Sequence, residues 1–164
     1  MANLELKTAS GGSVTLVPEN GVSNTQAVIP QSVGELYGKG NVLGTVSESG
    51  GVPTGAIIQR GSNANGEFVR YADGTQISWI HNHNGGELAN IPSGNVFMTE
   101  FQSYTFPVEF SQTPAVSITS RGSSTWSGNC RSANPSGVSN YLQFSSTSNS
   151  STVEARIIAI GHWF

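Results

Sequence analysis

The stretch Gly61-Ser-Asn-Ala-Asn-Gly-Glu-Phe-Val-Arg-Tyr-Ala-Asp-Gly-Thr-Gln-Ile-Ser-Trp-Ile80 decides how the chain reads. It has an Asn/Gly-rich lead-in and two β-rich runs on either side of Asp73-Gly74. Asp-Gly in that setting is a hairpin signal, because a type I′ turn needs φ > 0 at both central residues. A two-residue turn there pairs Ala72 with Thr75, Arg70 with Ile77 and Phe68 with Trp79. One face then carries Phe68, Arg70, Ile77, Trp79 and, further on, His81 and His83. The other carries Val69, Tyr71, Ser78 and Ile80. Both faces are half apolar, which suits a hairpin covered on two sides.

Downstream, Asn82 to Pro92 reads as an Asn/Gly-rich loop. Strands are predicted over Asn95–Phe101, Ser103–Phe110 and Pro114–Ser120. In the second of these, Tyr104, Phe106, Val108 and Phe110 alternate onto one face, while Pro107 lacks an N–H and marks an edge strand or a bulge. Residues 121–137 form the longest polar interruption, and long loops of that kind tend to carry function. Ser139–Phe144 is another strand. Val153–Phe164 is apolar enough to be a central strand, and it reaches the last residue. That ending reads as the distal end of something longer.

Upstream, residues 1–52 hold short alternating runs, notably Gly12–Pro18 and Thr25–Pro30, with few large apolar side chains. Such a segment cannot bury a core alone, but copies of it can share one axis. Gly44–Gly55 is a linker by composition. The division that follows is a thin β-rich stem with its linker over 1–54, and a head over 55–164 with a neck hairpin at 67–81.

Only 10% of the 164 residues are charged, against roughly a quarter in ordinary soluble domains. Twenty glycines, with abundant Ser, Thr and Asn, give a polar but nearly uncharged surface suited to neutral, hydroxyl-rich ligands or to burial against identical copies. The net charge of −3 and the absence of a Lys/Arg cluster make nucleic acid and anionic membrane poor partners. No run approaches the ~18 apolar residues of a membrane span. The N-terminal residues lack a signal-peptide core, which argues against classical secretion. Cys130 is the single cysteine, so no intrachain disulfide forms, consistent with assembly in a reducing cytosol.

Two resemblances add to this. The segment from Gly61 to Thr75 resembles one found in tail fibres of tailed bacteriophages, just before a C-terminal receptor-binding domain. The series Phe106-x-x-x-Phe110-x-x-x-Pro114-x-Val116, with the closing Ala155-Arg-Ile-Ile-Ala-Ile-Gly-His-Trp163, resembles the H-type lectin fold. That fold is a six-stranded β-sandwich-like domain that trimerises and binds sugars. Together the resemblances span about residues 55–164. The closing strand has Arg156 or Ile157 where the lectin pattern has an aromatic, and the intermediate N-x-T-x-x-G-F pattern is absent. The fold therefore carries over further than the sugar site.

Candidate chemistry is sparse. His81 and His83, at i and i+2 on a strand, should share a face. Trimerisation about that face would gather their imidazoles around one structural metal, iron or zinc, at the axis. No cofactor is otherwise required. Catalysis has little support: no pair of positioned carboxylates for glycoside hydrolysis stands out, and no G-x-S-x-G elbow exists. Sugar binding fits better. Trp126 offers a plane for a pyranose to stack on, and Arg121, Asn129 and Arg131 supply donors. Tyr141 is a lesser candidate, as is His162, which follows the closing Gly near where similar lectins hold sugar.

The sequence thus predicts an all-β chain, a thin β-rich stem followed by an antiparallel, H-type lectin-like β-sandwich, assembled as a homotrimer. The expected function is non-enzymatic: adhesion of a phage tail-fibre tip to a bacterial surface polysaccharide or lipopolysaccharide. Upstream fibre or baseplate proteins are the other expected partners, and the location is the virion after synthesis in the host cytoplasm. A free-standing H-type-like lectin and a purely structural fibre component are the alternatives.

Overall fold

A computed structural model describes residues 42–164, apart from Ser123 and the side chain of Asn129. The stem runs at 12–18 and 25–30 lie outside the described residues. A compact unit runs from Lys39 to Phe164. The described residues form β1 (Glu48–Ser49), β2 (Val52–Pro53), β3 (Ile58–Asn63), β4 (Gly66–Tyr71), β5 (Thr75–Leu88), β6 (Ile91–Ser93), β7 (Val96–Met98), β8 (Gln102–Thr105), β9 (Ala115–Arg121), β10 (Thr125–Asn134), β11 (Gly137–Ser145) and β12 (Thr152–His162). The fold is all-β.

Ten of these strands make two antiparallel sheets. One runs β3-β4-β5-β12-β9, and the other β10-β11-β7-β6 with β8 also paired to β11. Between them lies the core of Tyr104, Phe106, Phe110, Val138, Tyr141, Ala155, Ile157 and Ala159, joined by Ile80, Val116, Ile118 and Cys130. Burying a large apolar side chain stabilises by roughly 1.5–3 kcal/mol, so this cluster carries most of what offsets chain ordering. The aromatic members meet edge to face, Tyr104 on Phe106 at 5.7 Å and Phe106 on Phe110 at 5.1 Å between centroids. The closing strand β12 sits inside its sheet, between β5 and β9, as its apolar sequence predicts.

The Phe-Phe-Pro-Val series is a packing motif in this molecule. A side chain at Gly161 would press on Phe110 and Pro114, at 3.0 and 3.1 Å, so the closing glycine lets that segment lie flat on β12. The predicted strand through Phe110 stops at Thr105, because Pro107 has no N–H to donate to a ladder. Residues 106–110 are tied down from the side instead. Buried Gln76 donates to the Val108 and Glu109 carbonyls, and Arg70 donates to the Glu109 carbonyl and to Gln76 Oε1.

The hairpin turns where predicted but with a different register. Gly74 N donates to the Tyr71 carbonyl, Gly74 has φ of 93°, and Asp73 accepts from Thr75 N. This is a three-residue loop, a turn followed by a left-handed residue, rather than a two-residue one. Phe68 therefore pairs with Ser78, Val69 with Ile77 and Arg70 with Gln76. A one-residue slip exchanges faces. Trp79 and Ile77 stand with Glu67 and Val69, while Ser78 and Gln76 turn to the core.

Two predicted loops are strand. Asn82–Pro92 extends β5 to Leu88 and enters β6, and the polar stretch 121–137 is mostly β10. Period-two hydrophobicity is absent from both, so their pairing comes from the partner strands. The predicted linker at 44–55 also holds structure. Its short β1–β2 ribbon turns on Gly50 and Gly51, Val46 is buried, and Gly44 N donates to the Ile58 carbonyl.

Candidate ligand-binding surface

Trp126 lies on β10, directly opposite Phe144 of β11, and not in a loop. Its neighbours Ser127 and Cys130 face inward with Gln143 and Tyr141, so Trp126 and Phe144 face outward. The two rings lie nearly parallel, 22° apart with centroids at 6.3 Å, and Phe144 rests against the backbone of Gly128. Trp126 remains 44% exposed. Four residues further along β11, or roughly 13 Å, where Arg131 lies across from Asn140, a second pair repeats the theme. The Arg131 guanidinium stands 5.3 Å over the ring of Phe101, which is 49% exposed. This outward face offers two aromatic planes, one backed by a ring and one capped by a cation. A β-bulge between Ser127 and Cys130 turns the strand between them. Asn129 lies in that bulge, and its side chain falls outside the described residues.

Tyr141 cannot touch a ligand, which corrects the expectation for it. It is fully buried, and its hydroxyl bonds His83 Nδ1 at 2.6 Å and donates to Gln102 Oε1 at 3.1 Å. From Gln102 the bonds run to Thr99 and Gln143, and from Gln143 to Ser120 and the Glu154 carbonyl. This buried network links the two sheets at one end of the sandwich. Burial pushes the Tyr141 hydroxyl well above the ordinary tyrosine range and Tyr104 up to about 12. Burial lowers the His83 imidazole below the usual histidine value, so it is held neutral.

His81 and His83 do not share a face. The pairing of β5 with β12 runs Ile157 to Ile80 and then Ala155 to His83, so β5 carries one extra residue. That bulge resets the alternation: His83 turns inward, edge-on to Tyr104 at 5.1 Å, while His81 faces out. The pair does not fit an arrangement needing both imidazoles on one axis-facing side. Among the described residues, no three His, Cys, Asp or Glu side chains of one chain converge for a metal.

Arg121 belongs to the opposite sheet from Trp126. It pairs with Glu154 at 3.0 Å and donates to Asn82. His162 ends β12 on that same sheet, with its carbonyl accepting from Ser111. Of the sequence candidates, then, the fold brings Trp126 and Arg131 onto one face and takes Arg121, His162 and His81 to the other sheet. Phe144 and Phe101 were missed. The signal for Phe144 was its place as an outward letter in alternation with buried Tyr141, Gln143 and Ser145. Phe101, between two short strands, has no such local signal.

No family model matches the chain, and no curated protein matches it. Two solved structures share similarity with it. One is an N-truncated R1-type pyocin tail fibre, 18% identical, covering 65% of this chain and 88% of that one at a TM-score of 0.44. The other is a C-terminal portion of the P. aeruginosa R1 pyocin fibre, 16% identical, covering 86% of this chain and 41% of that one at 0.45. The chain thus spans well under half of the second structure's length.

Proposed function

We propose that this chain is the receptor-binding head of a phage-type tail fibre, which adheres without catalysis to a polysaccharide or lipopolysaccharide on a bacterial surface. The observation that carries this reading is Trp126, 44% exposed and stacked on Phe144. A ring held by a neighbour loses little freedom when a sugar stacks on it, so more of the contact energy appears as affinity. Arg131 and the hydroxyl-rich surface of β10 supply donors and acceptors beside it. The tail-fibre part of the proposal rests on the Gly61–Thr75 segment.

In this proposal the head works in the virion as a homotrimer, fixed to upstream fibre or baseplate proteins and made in the host cytoplasm. Each site is weak, and several copies on one particle multiply the residence time. Substituting Trp126→Ala should lower binding to host cells or purified polysaccharide by at least about tenfold, the equivalent of one good stacking contact. The circular dichroism spectrum should not change. Unchanged binding would remove the β10–β11 face from consideration.

A further inference from the structure

The outward face of the β12 sheet does not suit an isolated domain. On β12, Ile158 and Ile160 point away from the core and are 41% and 48% exposed. Strand pairing sets Trp79 and Ser117 beside Ile158, and Ile77 and Ala115 beside Ile160. On β4, Val69 lies beside Ile77 and Glu67 beside Trp79. The centre of the face is therefore Val69, Ile77, Trp79, Ile158 and Ile160. Next to it is a recess of about 200 Å³, walled by Trp79, His81, Thr119 and Arg156.

We infer that this face is where copies of the chain pack against one another, a second copy being its occupant. The inference rests on the trimeric reading above and adds the surface that joins the copies. Size fits. Four strands at ~4.8 Å spacing and seven residues at ~3.3 Å give a footprint of roughly 19 by 23 Å before side-chain relief is counted. That relief brings it toward the ~800 Å² each partner contributes to a standard interface. Its apolar centre is five contiguous side chains, with Ile158 and Ile160 exposed and Val69, Ile77 and Trp79 half-buried, and contiguous apolar patches on soluble proteins mark contact sites.

Charge fits a copy better than any other occupant. The two rims of the face each carry an internally neutralised pair, Arg60 with Glu67 at 3.4 Å and Arg121 with Glu154 at 3.0 Å. Copies bearing such rims bring neutralised pairs together, and exposed Arg156 in the wall of the recess is the further charge on this face that a copy must accommodate. An anionic lipid surface would call for a cluster of unbalanced Lys and Arg, whereas residues 42–164 contain no lysine and Arg156 is a single arginine outside the two pairs. A polysaccharide would call for more hydrogen-bonding groups than Ser117 and Thr119 provide near the apolar centre.

The test is the mass of the full chain by light scattering, with and without Ile158→Glu and Ile160→Glu together. The wild type should have the mass of three chains. The variant should have that of one, with its self-association weakened at least about 100-fold and its circular dichroism unchanged. A second arm leaves Ile158 and Ile160 unchanged. In a Cys130→Ala background, Ser117→Cys should give a covalent dimer with a short bis-maleimide, and Ser132→Cys on β10 should not. A charged variant that keeps the three-chain mass, or crosslinking through Ser132 but not Ser117, overturns this face and leaves the trimer standing. A wild-type dimer broken by the variant keeps the face and ends the trimeric reading. A monomeric wild type overturns both, while binding by that monomer would still support adhesion.

Discussion

The two outward faces of the sandwich are built from different chemistry on the same scaffold. The β12 sheet presents Val69, Ile77, Ile158 and Ile160 around one indole, between two closed Arg–Glu pairs. The β11 sheet presents Trp126 on Phe144 and Arg131 on Phe101, among Ser and Asn side chains. Branched aliphatics gain only by being covered. They offer no directional bond and suit a permanent partner of complementary shape. Aromatic planes with a cation and hydroxyls nearby can bind and release a wet, polar ligand. One face is suited to staying covered, the other to staying available.

The largest effect should come from removing what both faces rest on. Tyr141→Ala empties a fully buried site and breaks the link between His83 and Gln102, and should cost about 3–5 kcal/mol in denaturant unfolding. Retention of wild-type stability would mean the two sheets are not held together by that network.

Next come two adjacent isoleucines on β12. Ile157→Ala faces the core and should cost about 2–5 kcal/mol, whereas Ile158→Ala should cost the separated chain less than about 1 kcal/mol. Equal costs in a monomeric background would show that the outward face is already covered within one chain.

The smallest effect is a pH dependence seated in the network. His83 binds its proton less well in the folded state than in the unfolded one. Its contribution is therefore complete above the unfolded value near 6.5 and is lost as pH falls through that value, levelling off below the folded one. Thermal unfolding between about pH 7 and 5 should show this slope, and His83→Gln should flatten it. At the alkaline end the sign reverses. Tyr104 and Tyr141 hold their protons more tightly when folded, so stability falls as pH rises past about 10.

How much the sequence disclosed depended on whether a residue's neighbours along the chain decided its place. β9 could be read because Val116 and Ile118 alternate with polar neighbours, β12 because it is a near-continuous apolar run, and Asp73-Gly74 marked its turn. The register of that hairpin could not, since Asp-Gly serves a two-residue and a three-residue loop alike, and one residue exchanges the faces. His81 and His83 failed for a related reason. Strict alternation put them together, and an extra residue in β5, visible only against its partner β12, separates them. Tyr141, on a predicted strand, was a lesser ligand candidate and is the most deeply buried aromatic, because its hydroxyl has partners from β5 and β8 that lie far off in sequence. Trp126 was singled out for standing in polar surroundings, and it is on the surface. What holds it there, Phe144, lies on the next strand.

Along β11, Tyr141, Gln143 and Ser145 are buried, while Asn140, Leu142 and Phe144, alternating with them, look outward. The strand is written in two interleaved alphabets, one spelling the architecture and the other the vocabulary of contact. Replacing every second letter can change what the surface recognises while the packing beneath keeps its spelling. An inserted or deleted letter would scramble both. Change on this face is therefore accommodated by substitution, and change of length by the turns between strands.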